Sequence, residues 1–170
     1  FVMTGGEIVN SYERTAGVSS FSPAVSIDGA DANTAVSISD GSIQCREGSA
    51  LQIRTSGRGD AGTFNIGGNA RIESSNGIAI TYTYAITLQT GNGSILKIGG
   101  NAVINGGTHA IYTEKPQVGN LYVQIDGGYF GYDAENLIPF ADDSSYVVYP
   151  EGRILDINPV TEGTYAGYYT

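Results

Sequence analysis

Short stretches of alternating apolar and polar residues recur along the first 128 residues, each followed by a glycine-containing turn. In the stretch FNIGG, from Phe64 to Gly68, two apolar residues flank a polar one. When five such copies are aligned on the last apolar residue before the turn, one column contains Met3, Ile38, Ile66, Ile98 and Ile125. Neighbours in this column are 35, 28, 32 and 27 residues apart, and repeats of roughly 20–50 residues are typical of solenoids and propellers.

Each copy predicts three short β-strands joined by tight turns. The period-2 alternation predicts the first strand, and similar stretches such as Ala70–Ile72 and Ile78–Ile80 predict the second and third. No window shows the 3.6-residue apolar period of an amphipathic helix. Because one coil leaves its apolar edges exposed until the next coil stacks on it, we predict an all-β parallel β-helix, a solenoid of about four to five coils.

Two other all-β folds also contain short alternating strands. Propeller blades are antiparallel hairpins, usually with Trp-rich or His-bearing signatures, and this chain has no Trp. A β-sandwich is the main competitor. The pattern of three short strands per repeat favours the β-helix.

The repeat is lost after Phe130, where several prolines and aromatic residues follow. The open end of a solenoid exposes apolar side chains and unpaired backbone groups, which need a cover. We therefore predict one domain with coils over residues 1–128 and an irregular C-terminal cap over residues 129–170, with a hairpin near Glu162. The expected plugging side chains are Phe140, Tyr146, Val148, Tyr149 and Ile154.

Charge and composition restrict the partners and the location. The 170-residue chain has 8 Lys and Arg against 17 Asp and Glu, a net charge of −9, which disfavours nucleic acid and anionic membrane surfaces. No apolar run approaches the roughly 20 residues that span a bilayer. A single cysteine in a Gly-rich chain fits an exported bacterial protein, and the chain begins without Met or a signal peptide. We expect a piece of a longer, multidomain precursor that is secreted or attached to the cell surface.

The repeated phrases, together with VQIDGGYF (Val123–Phe130) and the closing segment Tyr149–Thr170, resemble the right-handed parallel β-helices of the pectate-lyase-like superfamily. They also resemble β-helical repeats in secreted or wall-attached proteins of gut bacteria. The resemblance covers most of the chain and implies right-handed coils. Members include lyases, glycoside hydrolases, polysaccharide-binding modules and adhesins, so the resemblance implies a connection with polysaccharides without selecting one activity.

The outward positions of the predicted strands test for a lyase site. The first strands would present Val2, Ser37, Asn65, Lys97 and Gln124; the second, Gln44, Arg71 and Val103; the third, Ser26, Gln52, Ala79 and a residue near Ile111. No stripe stacks two carboxylates, which disfavours a calcium-dependent lyase on a sheet face. Lys97 and Arg71 are interpreted as isolated, solvated charges.

Other residues with catalytic chemistry have simpler interpretations. Glycosidases of this fold need clustered carboxylates, and the candidates are Asp126, Asp133, Asp142 and Asp143. Asp126 is interpreted as a turn residue that bonds local backbone. His109 enters a strand from a turn, with no nucleophile nearby in sequence, and is interpreted as structural. The lone Cys45 is interpreted as a buried, inert thiol. We assign no catalytic residue.

Two groups remain as candidate ligand sites. In IDGADANT, Asp28, Asp31 and Asn33 offer oxygen ligands for Ca²⁺, although a polar turn is favoured because the spacing is not that of an EF-hand.

In TYTYAIT, Tyr82 and Tyr84 occupy alternating positions, and Tyr112 falls near the equivalent point one coil later, about 4.8 Å away. Exposed tyrosines flanked by Thr, Gln and Asn would stack on sugar rings. The alternative is that these rings cover a loop or pack against a neighbouring domain.

These observations favour a non-enzymatic β-helix module that binds a polysaccharide or a host or bacterial surface glycan, or that serves in adhesion or as a rigid spacer. The alternative is a polysaccharide lyase or glycoside hydrolase with its active site in the loops of residues 10–34 and 81–94. No cofactor is expected apart from the weak Ca²⁺ candidate.

Overall fold

The computed structural model describes residues 1–13, 22–30, 33–55, 62–84, 94–113 and 121–131. Within these ranges it contains twelve β-strands and no helix, so the predicted all-β class is confirmed. Of the cap predicted over residues 129–170, the part after residue 131, with its plugging side chains, lies outside the described residues. The strands are β1 (Val2–Asn10), β2 (Val25–Ala30), β3 (Ala35–Cys45), β4 (Leu51–Thr55), β5 (Thr63–Ile66), β6 (Arg71–Ser74), β7 (Ile78–Tyr84), β8 (Ser94–Ile98), β9 (Val103–Gly106), β10 (His109–Thr113), β11 (Leu121–Ile125) and β12 (Tyr129–Phe130).

The strands form two sheets, and all described pairings are parallel. In the larger sheet the first part of β3 pairs with β5 and its last part with β6, while β1 lies along its other side. The first ladder therefore continues through β5, β8 and β11, and the second ladder through β6, β9 and β12. The smaller sheet, with strand order β10-β7-β4-β2, is the third ladder.

The register of the first ladder confirms the alignment predicted from the sequence. Met3 pairs with Ile38, which pairs with Ile66, and the series continues through Ile98 to Ile125. Met3 is 7% exposed, and the next three members of the column, Ile38, Ile66 and Ile98, are 2% exposed or less. Ile125, the last member, is partly buried. Burial of each large aliphatic side chain contributes about 1.5–3 kcal/mol, which explains why this column is apolar in every copy.

Inward side chains of all three ladders share one apolar core. Phe64 of the first ladder meets Tyr82 of the third, with ring centroids 5.8 Å apart and planes at 66°. The core thus lies between the two sheets. Its other large members include Ile43, Ile72 and Ile104 from the second ladder and Leu51, Ile53, Ile80 and Ile111 from the third.

Glycines at the bend between the first and second ladders let neighbouring backbones approach closely. Gly41 and Gly68 have φ of +87° and +57°, a region that L-residues with side chains rarely adopt. A Cβ on Gly68 would also collide with the carbonyl oxygen of Ser39 in the neighbouring strand. The repeated glycine is therefore required by both the backbone conformation and the space available.

The register of the third ladder differs from the sequence prediction. The stretch Ile78–Ile80 was expected to match Leu51–Ile53, with Ala79 outward beside Gln52. In the structure Leu51 pairs with Ile80 and Ile53 with Tyr82, a shift of two residues. Ala79 is fully buried. A shift of two residues leaves each side chain on the same face, and it stacks the large Tyr82 ring in the inward column on Ile53, where the ring packs in the core.

Candidate functional site

The predicted row of exposed tyrosines does not form. Tyr82 is 0% exposed, so the prediction that it stacks on sugar is wrong. Tyr112 pairs with Thr81 rather than with Tyr82, which places Tyr112 and Tyr82 on opposite faces of the third ladder. Tyr112 is half-buried, with its ring edge-on to His109 at 6.3 Å between centroids. The side chain of Tyr84 lies outside the described part of the structure.

The candidate calcium loop is described only in part. Asp28 forms an ion pair with Arg54 at 3.3 Å and accepts a hydrogen bond from Ser26 at 2.9 Å. Asn33 is exposed, and Asp31 lies outside the described residues. Across the described ranges, no three His, Cys, Asp or Glu side chains group as a metal site would require. The guanidinium beside Asp28 opposes a second cation there, and Ca²⁺ binding stays a prediction.

The outward stripe of the first ladder has the predicted register, through Val2, Ser37, Asn65, Lys97 and Gln124. Two second-ladder predictions need correction. Arg71 is not isolated, because its guanidinium donates to Glu73 at 2.8 and 3.2 Å. Val103, expected to face outward, is only 1% exposed. Its registered neighbours are Arg71 and Tyr129, whose longer side chains flank the small valine side chain.

The other residues with catalytic chemistry are described only in part. The carboxylate of Asp126 accepts a hydrogen bond from Gln124 at 2.6 Å, while Asp133, Asp142 and Asp143 lie outside the described residues. His109 begins β10, and its Nδ1 is buried without a hydrogen-bond partner among the described residues.

Cys45 is buried, as predicted. Its thiol donates to the carbonyl of Glu47 at 2.7 Å. Burial raises the pKa of the Cys45 thiol, so the protonated form persists to higher pH than in water.

A cleft that the sequence analysis did not predict lies where the second ladder turns into the third. Its volume is about 420 Å³, within the range of small-molecule sites. The apolar part of its lining includes Pro23 and Ile78. Its polar side chains are Glu47, Ser49, Gln52, Asn76 and Thr108. We call this feature the corner cleft.

Three successive turns build the corner cleft. Glu47 lies between β3 and β4, Asn76 between β6 and β7, and Thr108 between β9 and β10. Backbone hydrogen bonds hold these turns in register: the amide of Asn76 donates to Arg46 at 2.9 Å, and that of Thr108 to Gly77 at 2.9 Å. The turns therefore stack as the strands do, and each adds a polar side chain to the same corner.

Hydrogen bonds position part of the cleft lining. Asn76 Nδ2 donates to Glu47 Oε1 at 2.9 Å, and Ser49 and Thr81 share a hydroxyl hydrogen bond at 2.6 Å. Carboxylate, amide and hydroxyl groups together can accept from and donate to the hydroxyls of a ligand. Of the described lining residues, Glu47 alone carries a carboxylate, whereas most glycosidases use two.

The sequence contains a signal for this cleft in the second turn of two repeats. The turns EGS (Glu47–Ser49) and NGI (Asn76–Ile78) place a polar residue before a glycine 29 residues apart. Backbone bonding from Ile78 to Gly48 confirms that the two turns are neighbours. Aligning these turns as well as the strands would have brought Glu47 and Asn76 together.

Comparisons with models of protein families, with curated proteins and with solved structures found no match to this chain. Among the described residues there is no helix of the length and apolar character needed to cross a membrane.

Proposed function

We propose that the three ladders are the faces of a right-handed parallel β-helix, and that the chain is a non-enzymatic module that binds a neutral polysaccharide or surface glycan in the corner cleft. Parallel pairing of strands that recur in the same order supports the β-helix. A secreted or cell-surface location belongs to the same proposal, because a surface glycan would be met there.

The lining of the corner cleft is the observation that carries the binding proposal. Sugar rings have apolar faces and hydroxyl rims, and the cleft offers Ile78 beside a set of amide, hydroxyl and carboxylate groups. The Glu47–Asn76 hydrogen bond holds two of these groups in place before a ligand arrives. Less ordering on binding lowers its free-energy cost.

Charge favours a neutral ligand. Glu47 places a carboxylate in the cleft, and the whole chain carries −9. An acidic sugar would meet repulsion from both, whereas hydroxyl groups can donate to the carboxylate.

A glycan array of neutral and acidic oligosaccharides, followed by calorimetry on the hits, tests the proposal. We expect neutral glycans to bind, and Asn76→Ala and Gln52→Ala to weaken binding about tenfold each through lost hydrogen bonds. Asn65→Ala is the matched control, because Asn65 is an exposed amide on the first ladder outside the cleft lining. Circular dichroism checks that each variant is folded.

Three results would overturn the proposal. These are no binding to any neutral glycan, equal loss in Asn65→Ala and Asn76→Ala, and release of shortened products from a bound polysaccharide. The first would favour a spacer, and the last a lyase or hydrolase.

A further inference from the structure

β1 has a free edge in the described structure. It pairs with β3 on one side, and no described strand pairs with its other side. Unpaired strand edges offer rows of amide and carbonyl groups that can accept another strand. Glu7 is the one charged side chain in this nine-residue strand, so charge repulsion does little to prevent another strand from pairing with this edge.

Exposed apolar side chains concentrate at this edge. Among the described residues, the exposed large hydrophobic side chains are Phe1, Val2, Val9 and Tyr12, at 46, 71, 55 and 44%. All four lie in β1 or within two residues of it. Ile8 of β1 packs on the core yet stays partly exposed, as do Val25 and Ile27 of β2, the terminal strand of the third ladder. Among the described residues, the core is therefore incompletely covered at this end.

The β1 sequence has approximate mirror symmetry about its centre. Residues 2–9 are VMTGGEIV: two apolar residues and a polar one, two glycines, then a polar residue and two apolar ones. Met3 is buried and Ile8 half-buried, whereas the residues flanking the glycines and the outer valines are exposed. A two-fold axis between Gly5 and Gly6 would place Val2 opposite Val9, Met3 opposite Ile8, and Thr4 opposite Glu7 of a second copy.

Backbone hydrogen bonds allow the same register. The Ser37 amide donates to the carbonyl of Phe1, and the Arg46 amide to that of Asn10. The direction of the backbone hydrogen bonds alternates along a strand. Val2, which follows Phe1, and Val9, which precedes Asn10, therefore direct their amide and carbonyl groups toward the free edge of β1. In an antiparallel pair these two residues would exchange both hydrogen bonds.

We propose that the free edge of β1 pairs antiparallel with β1 of a second copy of this chain, forming a two-fold symmetric dimer. Opposed residues of an antiparallel pair lie on the same face, so Met3 and Ile8 of the second copy extend the inward apolar column. Glu7 lies opposite Thr4 rather than opposite its own equivalent, which avoids direct repulsion. Each chain carries −9, so the dimer tightens as salt screens the long-range repulsion.

Sedimentation velocity of the 170-residue chain, over micromolar to millimolar concentrations, tests the dimer. We expect a dimer at the upper concentrations, and Val9→Lys or Val2→Glu to weaken it about tenfold, since each change alters two symmetric cross-strand pairs. The double variant Val2→Glu/Val9→Lys recovers dimerisation, because Glu at position 2 then opposes Lys at position 9 of the second copy. Thr63→Lys, at an exposed position of β5 with the same charge change, leaves the dimer unaffected.

A monomer at every concentration overturns the proposal, and so does a dimer that neither single variant weakens. If both single variants dissociate the dimer and the double variant does not recover it, the antiparallel register is wrong. The assay contains no glycan, so its outcome is independent of binding in the corner cleft.

Discussion

Tyr82 packs edge-on against Phe64 across the core, with 5.8 Å between the ring centroids and 66° between the ring planes. Both residues are fully buried. The pair joins β7 of the third ladder to β5 of the first, so it ties the smaller sheet to the larger one. An aromatic pair of this geometry contributes about 0.5–1.5 kcal/mol beyond burial of its area.

Tyr82→Ala should lower the free energy of unfolding by about 3–5 kcal/mol, because it leaves a cavity where the ring was. Tyr112→Ala, at a half-buried outward position, should cost about 1 kcal/mol or less. Urea unfolding followed by circular dichroism measures both. Equal costs would contradict the inward position of Tyr82. Because Tyr82→Ala is expected to destabilise the fold, a loss of glycan binding in this variant would not by itself show that Tyr82 contacts the glycan.

Gly68→Ala should destabilise the protein by at least about 1–2 kcal/mol, the cost of left-handed backbone for a residue with a Cβ, with the collision at Ser39 adding to it. The adjacent Gly67→Ala is the control. A Cβ at Gly67 would have its nearest contact at 3.6 Å, an ordinary van der Waals distance. Thermal unfolding of the two variants gives the comparison. A Gly67→Ala variant as unstable as Gly68→Ala would argue against the described bend.

The stability of the wild-type protein should fall at alkaline pH by more than that of Cys45→Ala. Burial raises the pKa of the Cys45 thiol in the folded state, so above the unfolded pKa of about 8.5 the folded state holds more protons than the unfolded one. The stabilising contribution is complete below that pH and is lost as the pH rises through the folded pKa. Subtracting the Cys45→Ala curve removes the tyrosine and lysine titrations. If the stabilities of the wild type and of Cys45→Ala fell in parallel above pH 8.5, the raised pKa of the buried Cys45 thiol would be contradicted.

The guanidinium of Arg54 beside Asp28 leads us to expect that millimolar Ca²⁺ leaves the Tm of the wild-type chain unchanged. Arg54→Gln removes the competing charge, so any affinity of the loop for Ca²⁺ should increase in this variant and raise its Tm. Differential scanning fluorimetry with Ca²⁺ or Mg²⁺ measures the shift. A rise in wild type that Asp28→Asn abolishes would instead establish a calcium site in this loop.

Sequence periodicity predicted the first ladder well, for a physical reason. Its inward column alternates with polar residues and ends at a glycine whose conformation few other residues can adopt, so alignment on Ile66 and Gly68 also aligned the strands. In the third ladder the matching glycines, Gly48 and Gly77, lie in the turn before the strand, and aligning them gives the observed pairing of Leu51 with Ile80. Ile78, Ile80 and Tyr82 share one face, and alternation alone does not say which two of the three match Leu51 and Ile53.

Tyr82 and the corner cleft show where pattern analysis reaches its limit. Alternation places Tyr82 on the same face as the inward Ile80, which favours an inward ring, but tyrosine is both apolar and polar, and packing against Phe64 shows that the ring is in the core. The cleft depends on how turns stack. Glu47 and Asn76 are 29 residues apart in sequence, and strand alternation does not bring them together; only an alignment of the turns would have predicted their hydrogen bond.

Registered partners are never far apart along the chain. The described ladder pairs join residues separated by 25 residues (Ala30 and Thr55) to 36 residues (Thr4 and Asp40). Each new strand therefore closes a loop of nearly constant length, and the entropic cost of closure changes little from one strand to the next. Folding of such a chain can begin at any adjacent pair of strands and extend to further strands in both directions. A destabilising substitution in one strand therefore weakens its immediate neighbours most. Insertion or deletion of a whole repeat would alter the length of the protein while leaving the remaining strands with the same kind of neighbours.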